Sequence, residues 1–124
     1  MPVVLGDAGI QLRATAAAAV DGVVLAAMGA GHVPERLLPV LEEVVVRIPV
    51  AATSRTGAGR LLRRTYAFPG SERDLQRLGL LDAGDLSGLK ARVLLTLALW
   101  SAADRTAAEA AFHTHAQHDR GRPA

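Results

Sequence analysis

Four polar residues carry side chains able to bind or orient a ligand, three of them where short apolar runs end and one at the start of a helical pattern. His32 closes the segment Met28-Gly29-Ala30-Gly31-His32-Val33-Pro34, directly after the apolar run Val23–Ala27. An imidazole there can donate, accept or titrate. Ser54 and Arg55 follow a second run, Pro49–Ala52. A guanidinium at such a place could clamp a carboxylate with two parallel bonds. Glu72 opens a short helical pattern and could hold an amine. Gly29 and Gly31 are the turn-makers that would let a ligand or a second backbone come close.

Each of these residues has a plainer reading. His32 is either a polar contact to substrate or partner, or a capping or loop-stabilising histidine. Arg55 is either a carboxylate clamp or a structural ion pair that fixes the loop after it. Glu72, with Asp74, either recognises a substrate amine or places favourable charge at a helix start. Ser54 shows no activating base at a strand-turn-helix elbow, so it is not read as a nucleophile. Pro34 stands where a dinucleotide fingerprint needs its third glycine, and no Gly-Lys-Ser/Thr follows Gly57 and Gly59, so both phosphate motifs are rejected. Arg60, Arg63, Arg64, Tyr66 and Phe68 read as a solvated, mobile loop that packs against a partner, with anion binding or stacking as the other reading. Lys90 is either a general base, if buried, or in the plainer reading a structural ion-pair partner, for example of Asp85. His115 and His118 could share a helical face, but without a third ligand they make a poor metal site.

Elements must position these residues. Pro2–Leu5 reads as a first strand, and Ile10–Ala19 as an alanine-rich helix. Gly22–Ala27 lacks alternation, as a strand covered on both faces does. Glu35–Val46 places Leu37, Leu38, Leu41, Val44 and Val45 on one helical face, with Pro39 tolerated near the first turn. Pro49–Ala52 is a third strand. Residues 53–70 form a long loop, and 74–78 a short helix closed by Gly79. Ser87 or Asp85 caps a helix through Trp100 that is apolar nearly all round and is expected to be buried. Residues 106–112 give a last, weaker helix, and 113–124 a polar, frayed tail. The order implies right-handed crossovers and an α/β class. The expected architecture is a small three-layer domain in residues 1–112, with a parallel sheet of three to four strands covered by helices on both faces.

Composition sets the bounds. A chain of 124 residues holds one core. Half of it is apolar and only 3% is aromatic, so the core is built of Ala, Val and Leu. There is no cysteine, hence no disulfide or thiolate metal site; the compartment stays open, with the cytoplasm favoured. No apolar run reaches membrane-spanning length, about 18 residues. The start, Met1-Pro2-Val3-Val4-Leu5, lacks the basic flank of a signal peptide and reads as a strand entered mid-fold. The net charge is only +2, carried mostly by arginine, with no basic stripe of interleaved aromatics, so nucleic acid is not expected as a partner.

Three blocks in order carry a family likeness. They are Asp21-Gly22-Val23-Val24 with Gly29-Ala30-Gly31-His32-Val33-Pro34; Ile48-Pro49-Val50 with Thr53-Ser54-Arg55-Thr56-Gly57-Ala58-Gly59; and Ala83-Gly84-Asp85-Leu86 with Lys90 to Leu99. Tyr66-Ala67-Phe68-Pro69-Gly70-Ser71-Glu72, between the last two, fits as well. The chain resembles the C-terminal domain of the bacterial L-asparaginase family, the threonine-nucleophile amidohydrolases. The resemblance implies a domain that helps close the active site of a neighbouring subunit on a small amide substrate, within a homo-oligomer, with no cofactor, metal or membrane. It places His32 where the family commonly has Asn, and it makes Glu72 the candidate for the substrate's amino group. The family's Thr-Gly-Gly-Thr and Thr-Asp catalytic loops have no counterpart in this sequence, which holds neither a Gly-Gly nor a Thr-Asp pair. The implied partner is therefore an asparaginase N-terminal catalytic domain or a like subunit. The alternative is a non-catalytic binding or assembly module derived from that family.

Overall fold

The computed structural model describes residues 1–57 and 59–118. Its order is α1 (Ile10–Ala17), β1 (Val23–Ala27), α2 (Leu38–Arg47) after a 3-10 turn at Glu35–Leu37, β2 (Val50–Ser54), α3 (Glu72–Arg77), β3 (Leu81–Asp82), α4 (Gly88–Ser101) and α5 (Arg105–His118). The three strands form a parallel sheet in the order β1-β2-β3. Val23 pairs with Val50 and Ala27 with Ser54, so β1 and β2 end together and their following loops emerge side by side.

Strand geometry sends alternate side chains to opposite faces, and the core divides accordingly. Val23, Leu25, Ala27 and Val50 pack with Leu12 of α1, Leu37 of the 3-10 turn, and Val40, Leu41 and Val44 of α2. On the other face, Ala51 and Val24 meet Ala91, Leu95 and Ala98 of α4 and Ala108, Phe112 and Ala116 of α5. These are the three layers expected of an α/β domain, with every residue of β2 buried. The small side chains matter: Ala51 and Ala91 are fully buried and bring the helical layer close to the sheet. Gly9, with φ 82°, plays the same part for α1, because a Cβ there would stand 2.5 Å from Val40 Cγ2.

Four differences from the sequence expectation have physical causes. Pro2–Leu5 makes one parallel bridge, Pro2 to Ala26, and no strand. Proline offers no N–H to a ladder, and the chain turns at once, with Asp7 N donating to Val4 O. Leu81–Asp82 joins the sheet through Ala51 and Ala52, a strand too short to leave a pattern. Helix α4 is not buried all round: Leu89, Val93, Leu97 and Trp100 are 72%, 53%, 53% and 78% exposed. The sheet and α5 cover only the Ala91–Leu95–Ala98 side, and no described residue covers the opposite stripe.

The fourth difference is the length of α5, which runs on through residues 113–118, the start of the expected tail. Ala108, Phe112 and Ala116 recur every fourth residue and are all buried, so the last turns are held by packing. Asp104 Oδ1 accepts from Ala107 N at 2.8 Å, and Arg105 donates to the carbonyls of Val45 and Val46 at the end of α2. The rest of the expected tail, 119–124, lies outside the described residues.

Phe112 is fully buried at the centre of the second layer. Truncating it to alanine should cost about 3–5 kcal/mol, read as a fall in the urea midpoint without a change in slope.

Candidate functional site

In parallel sheets ligands bind beyond the carboxyl ends of the strands, and that is where three loops of this chain are stitched together. The first is the tight turn after β1. Met28 N donates to His32 O and His32 N to Met28 O, both at 2.9 Å. Closing so short a loop needs Gly29 at φ 49° and Gly31 at φ 113°. Gly31 also lets Leu61 and Glu72 press on the turn: a Cβ there would be 3.2 Å from Leu61 Cδ2 and 3.4 Å from Glu72 Cβ.

The second loop follows β2. Ser54 Oγ donates to Gly29 O at 2.6 Å and lies 2.8 Å from Thr56 Oγ1. Arg55 N donates to Ala27 O, and Arg55 Nη1 reaches across to Val3 O at 2.8 Å. Among the described residues Arg55 thus meets a backbone carbonyl, where the sequence reading had an ion pair or a ligand carboxylate. Further along, Leu62 N donates to Ala30 O at 2.8 Å. Arg60 and Arg63 form ion pairs with Asp85 and Asp82 at 2.6 and 2.8 Å. These pin the arginine-rich stretch to the turns around β3, where the sequence suggested a solvated loop.

The third loop runs from Thr65 to Ser71. Val33 N donates to Gly70 O at 2.8 Å, and the approach is so close that a Cβ on Gly70 would overlap the Val33 carbonyl oxygen. Gly70 N is in turn bonded to Asp74 Oδ2.

Glu72, the first residue of α3, sits between these loops. It is only 2% exposed. Its Oε1 accepts from Thr65 N at 2.7 Å and Tyr66 N at 2.8 Å. Its Oε2 is buried and faces His32 Nδ1, likewise buried, at 3.8 Å, and neither atom has a hydrogen-bond partner among the described residues. The His32 side chain is 21% exposed. Tyr66 meets it edge-on with centroids 5.0 Å apart, and Phe68 lies at 4.9 Å. Both aromatic rings are nearly half exposed.

The two candidate substrate residues, forty positions apart in the chain, are therefore neighbours, and the loop-shaping residues Gly29, Gly31, Ser54 and Arg55 lie in or beside the turn that presents His32. Tyr66, Phe68 and Gly70 complete the cluster; the sequence reading had Tyr66 and Phe68 only in a mobile loop, with stacking as the other reading, and did not connect them or Gly70 with His32. Two aromatics two positions apart, in a chain with only four, were the available signal.

Burial pushes the Glu72 carboxyl up. The N–H groups of Tyr66, Glu72 itself and Thr65, together with the nearby His32, outweigh this and hold it below its ordinary value of about 4.5. A buried carboxylate facing an accessible imidazole and two aromatic rings suits a ligand with an amine or amide N–H group. A cavity of about 250 Å³ also borders Glu72, walled by Leu61, Leu62, Leu75, Leu81 and Arg63. His32 does not line it, so the cluster at the strand ends is the candidate site. Among the described residues no three His, Asp or Glu side chains gather to hold a metal ion. No described helix is long and apolar enough to cross a membrane.

The fold defines a small α/β module with a parallel sheet, and comparison with known proteins gives its family. The model of the Glutaminase/Asparaginase C-terminal domain matches residues 2–112, and the chain belongs to that family. It is 38% identical over 85 residues to the probable L-asparaginase of Deinococcus radiodurans, covering 68% of this chain and 26% of that protein. It is 37% identical over 87 residues to a glutamyl-tRNA(Gln) amidotransferase component of Haloquadratum walsbyi, covering 69% of this chain and 19% of that one. The crystal structure of the probable cytoplasmic L-asparaginase from Campylobacter jejuni superposes with a TM-score of 0.72 at 29% identity, over 90% of this chain and 34% of that one. The chain thus spans between about a fifth and a third of the length of these relatives.

Because the native Glu72 carboxyl releases its proton more readily than the unfolded one, the unfolded chain binds more protons as pH falls below about 4.5. The stability it supplies is complete above that pH and drains away as pH drops through the lower native value. Glu72→Gln should cost about 1–3 kcal/mol at pH 7. The gap to the parent should narrow by pH 3, as urea titrations at the two pH values would measure.

Proposed function

We propose that this chain is the site-completing C-terminal part of an L-asparaginase-type amidohydrolase. The observation that carries this reading is the position of His32, presented from the glycine turn at the end of β1 with the charge of Glu72 behind it. In the proposed assembly a threonine from the catalytic domain attacks the side-chain amide of asparagine. Ammonia leaves, and water then cleaves the acyl-enzyme to give aspartate. His32 contacts the substrate through its accessible edge. Glu72 contributes negative charge that favours the substrate's ammonium group. Neither can supply the nucleophile, and the sequence carries neither threonine loop of the family.

The exposed stripe Leu89, Val93, Leu97 and Trp100 supports a role in assembly. These residues recur at intervals of four, four and three, which places them on one side of α4. Contiguous apolar surface of this kind marks interaction sites, and the occupant we propose is the catalytic domain or a like subunit. The same stripe favours the second reading, a module that keeps the family's docking surface without its chemistry.

The two readings part on a reconstitution. Ammonia release from asparagine should be absent with the 124-residue chain alone. It should appear when the catalytic portion of the Deinococcus radiodurans relative, freed of its own matching segment, is added. His32→Ala should then lower kcat/KM by about 10- to 100-fold. Robust turnover by the pure chain would overturn the incomplete-site reading, and failure of the mixture would favour the non-catalytic module. For the docking surface, Leu97→Glu should leave the thermal midpoint unmoved and abolish concentration-dependent association in analytical ultracentrifugation. A parent chain that stays monomeric at high concentration would count against the docking surface.

A further inference from the structure

We infer that Glu72 is a positioning residue for His32. It fixes the neutral imidazole with its proton on Nδ1, leaving Nε2 as a lone-pair acceptor for an N–H group of the ligand, an ammonium or a primary amide. The inference rests on the reading of His32 as ligand-facing and names which of its two nitrogens does the work.

The geometry leaves little choice. Glu72 Oε1 is already occupied by the N–H groups of Thr65 and Tyr66. Oε2 is the remaining acceptor, buried and without a formed hydrogen bond among the described residues, and the group facing it at 3.8 Å is His32 Nδ1. A lone pair on Nδ1 would point at a buried carboxylate, whereas an N–H there points its positive end at that charge. The preference is electrostatic and holds at 3.8 Å, beyond a formed hydrogen bond. The tautomer of a histidine is set by what its other nitrogen faces.

The ring cannot easily turn to escape this choice. Tyr66 stands edge-on to it at an interplanar angle of 79°, and Phe68 closes in at 50°. The backbone on both sides is fixed, His32 by its two bonds to Met28 and Val33 by its bond to Gly70. The same carboxylate holds the backbone of Tyr66, so the ring wall and the imidazole are aligned by one group. An amide side chain at this place would offer both a donor and an acceptor. An imidazole locked with its proton inward offers only an acceptor. The site should therefore select ligands that donate.

Long-range proton–nitrogen correlation spectra of the ¹⁵N-labelled chain, recorded at pH 8, read the tautomer directly. His32 is assigned by the signal lost in His32→Asn. The expected result is a protonated Nδ1 and an unprotonated Nε2, in a ratio of at least about tenfold. Glu72→Gln should collapse that ratio while the ring stays in place, and Glu72→Asp, which keeps the charge, should preserve the preference for Nδ1–H. A purely structural role for Glu72 would leave the ratio unchanged in Glu72→Gln. That outcome, or an Nε2–H tautomer in the parent, overturns the inference, and the parent's spectrum decides even if a variant fails to fold. No substrate or catalytic domain is needed, so a wrong tautomer leaves the asparaginase reading standing. A failed reconstitution with the expected tautomer would sink that reading alone.

Discussion

One buried negative charge organises the loops at the carboxyl ends of the strands. A carboxylate removed from water without partners is untenable, since hydrocarbon-like burial of a lone ion costs on the order of tens of kcal/mol before relaxation. Glu72 keeps its charge because two backbone amides of the preceding loop converge on one oxygen. Hydrogen bonds to a charged group contribute about 1.5–3 kcal/mol each, so displacing the loop that carries both Thr65 and Tyr66 removes about 3–6 kcal/mol. Loop, helix start and imidazole therefore hold together as a unit. Its second oxygen extends this control to His32, forty residues away in sequence.

The sheet beneath is suited to carrying such a site. Parallel pairing makes β1 and β2 stop at the same level. Their loops then bond to each other through Ser54, Arg55 and Leu62. Alanines in β2 and α4 allow the helical layer to sit close, which gives a firm base with little aromatic bulk. The cost falls on α4, whose apolar residues exceed what one sheet and one helix can cover. The surplus becomes a stripe facing outward.

Much of the plan was legible from residues. The unalternating run at Val23–Ala27 gave a strand covered on both faces, and its glycines gave the turn that lifts His32. Ser87 caps α4, its hydroxyl accepting from Lys90 N. Pro39 is accommodated near the first turn of α2. Less was legible where periodicity is thin. The stub Leu81–Asp82 has no pattern of its own and is a strand only because β2 offers it an edge. Helix α5 is alanine-rich and weakly amphipathic, so its last turns depend on Phe112 and Ala116 meeting the sheet layer. In α4, sequence showed apolar residues all round but not which side would find a cover.

Sequence by itself determined the class of fold, the family and the absence of the family's nucleophile motifs, because each depends on local pattern and on residue identity in order. Only the tertiary structure decided that Glu72 turns inward to the amides of Thr65 and Tyr66, that its free oxygen faces His32, and that Tyr66 and Phe68 wall the ring. Those relations join residues brought together by loop packing and by the desolvation of one charge. Neither leaves a spacing rule in the chain.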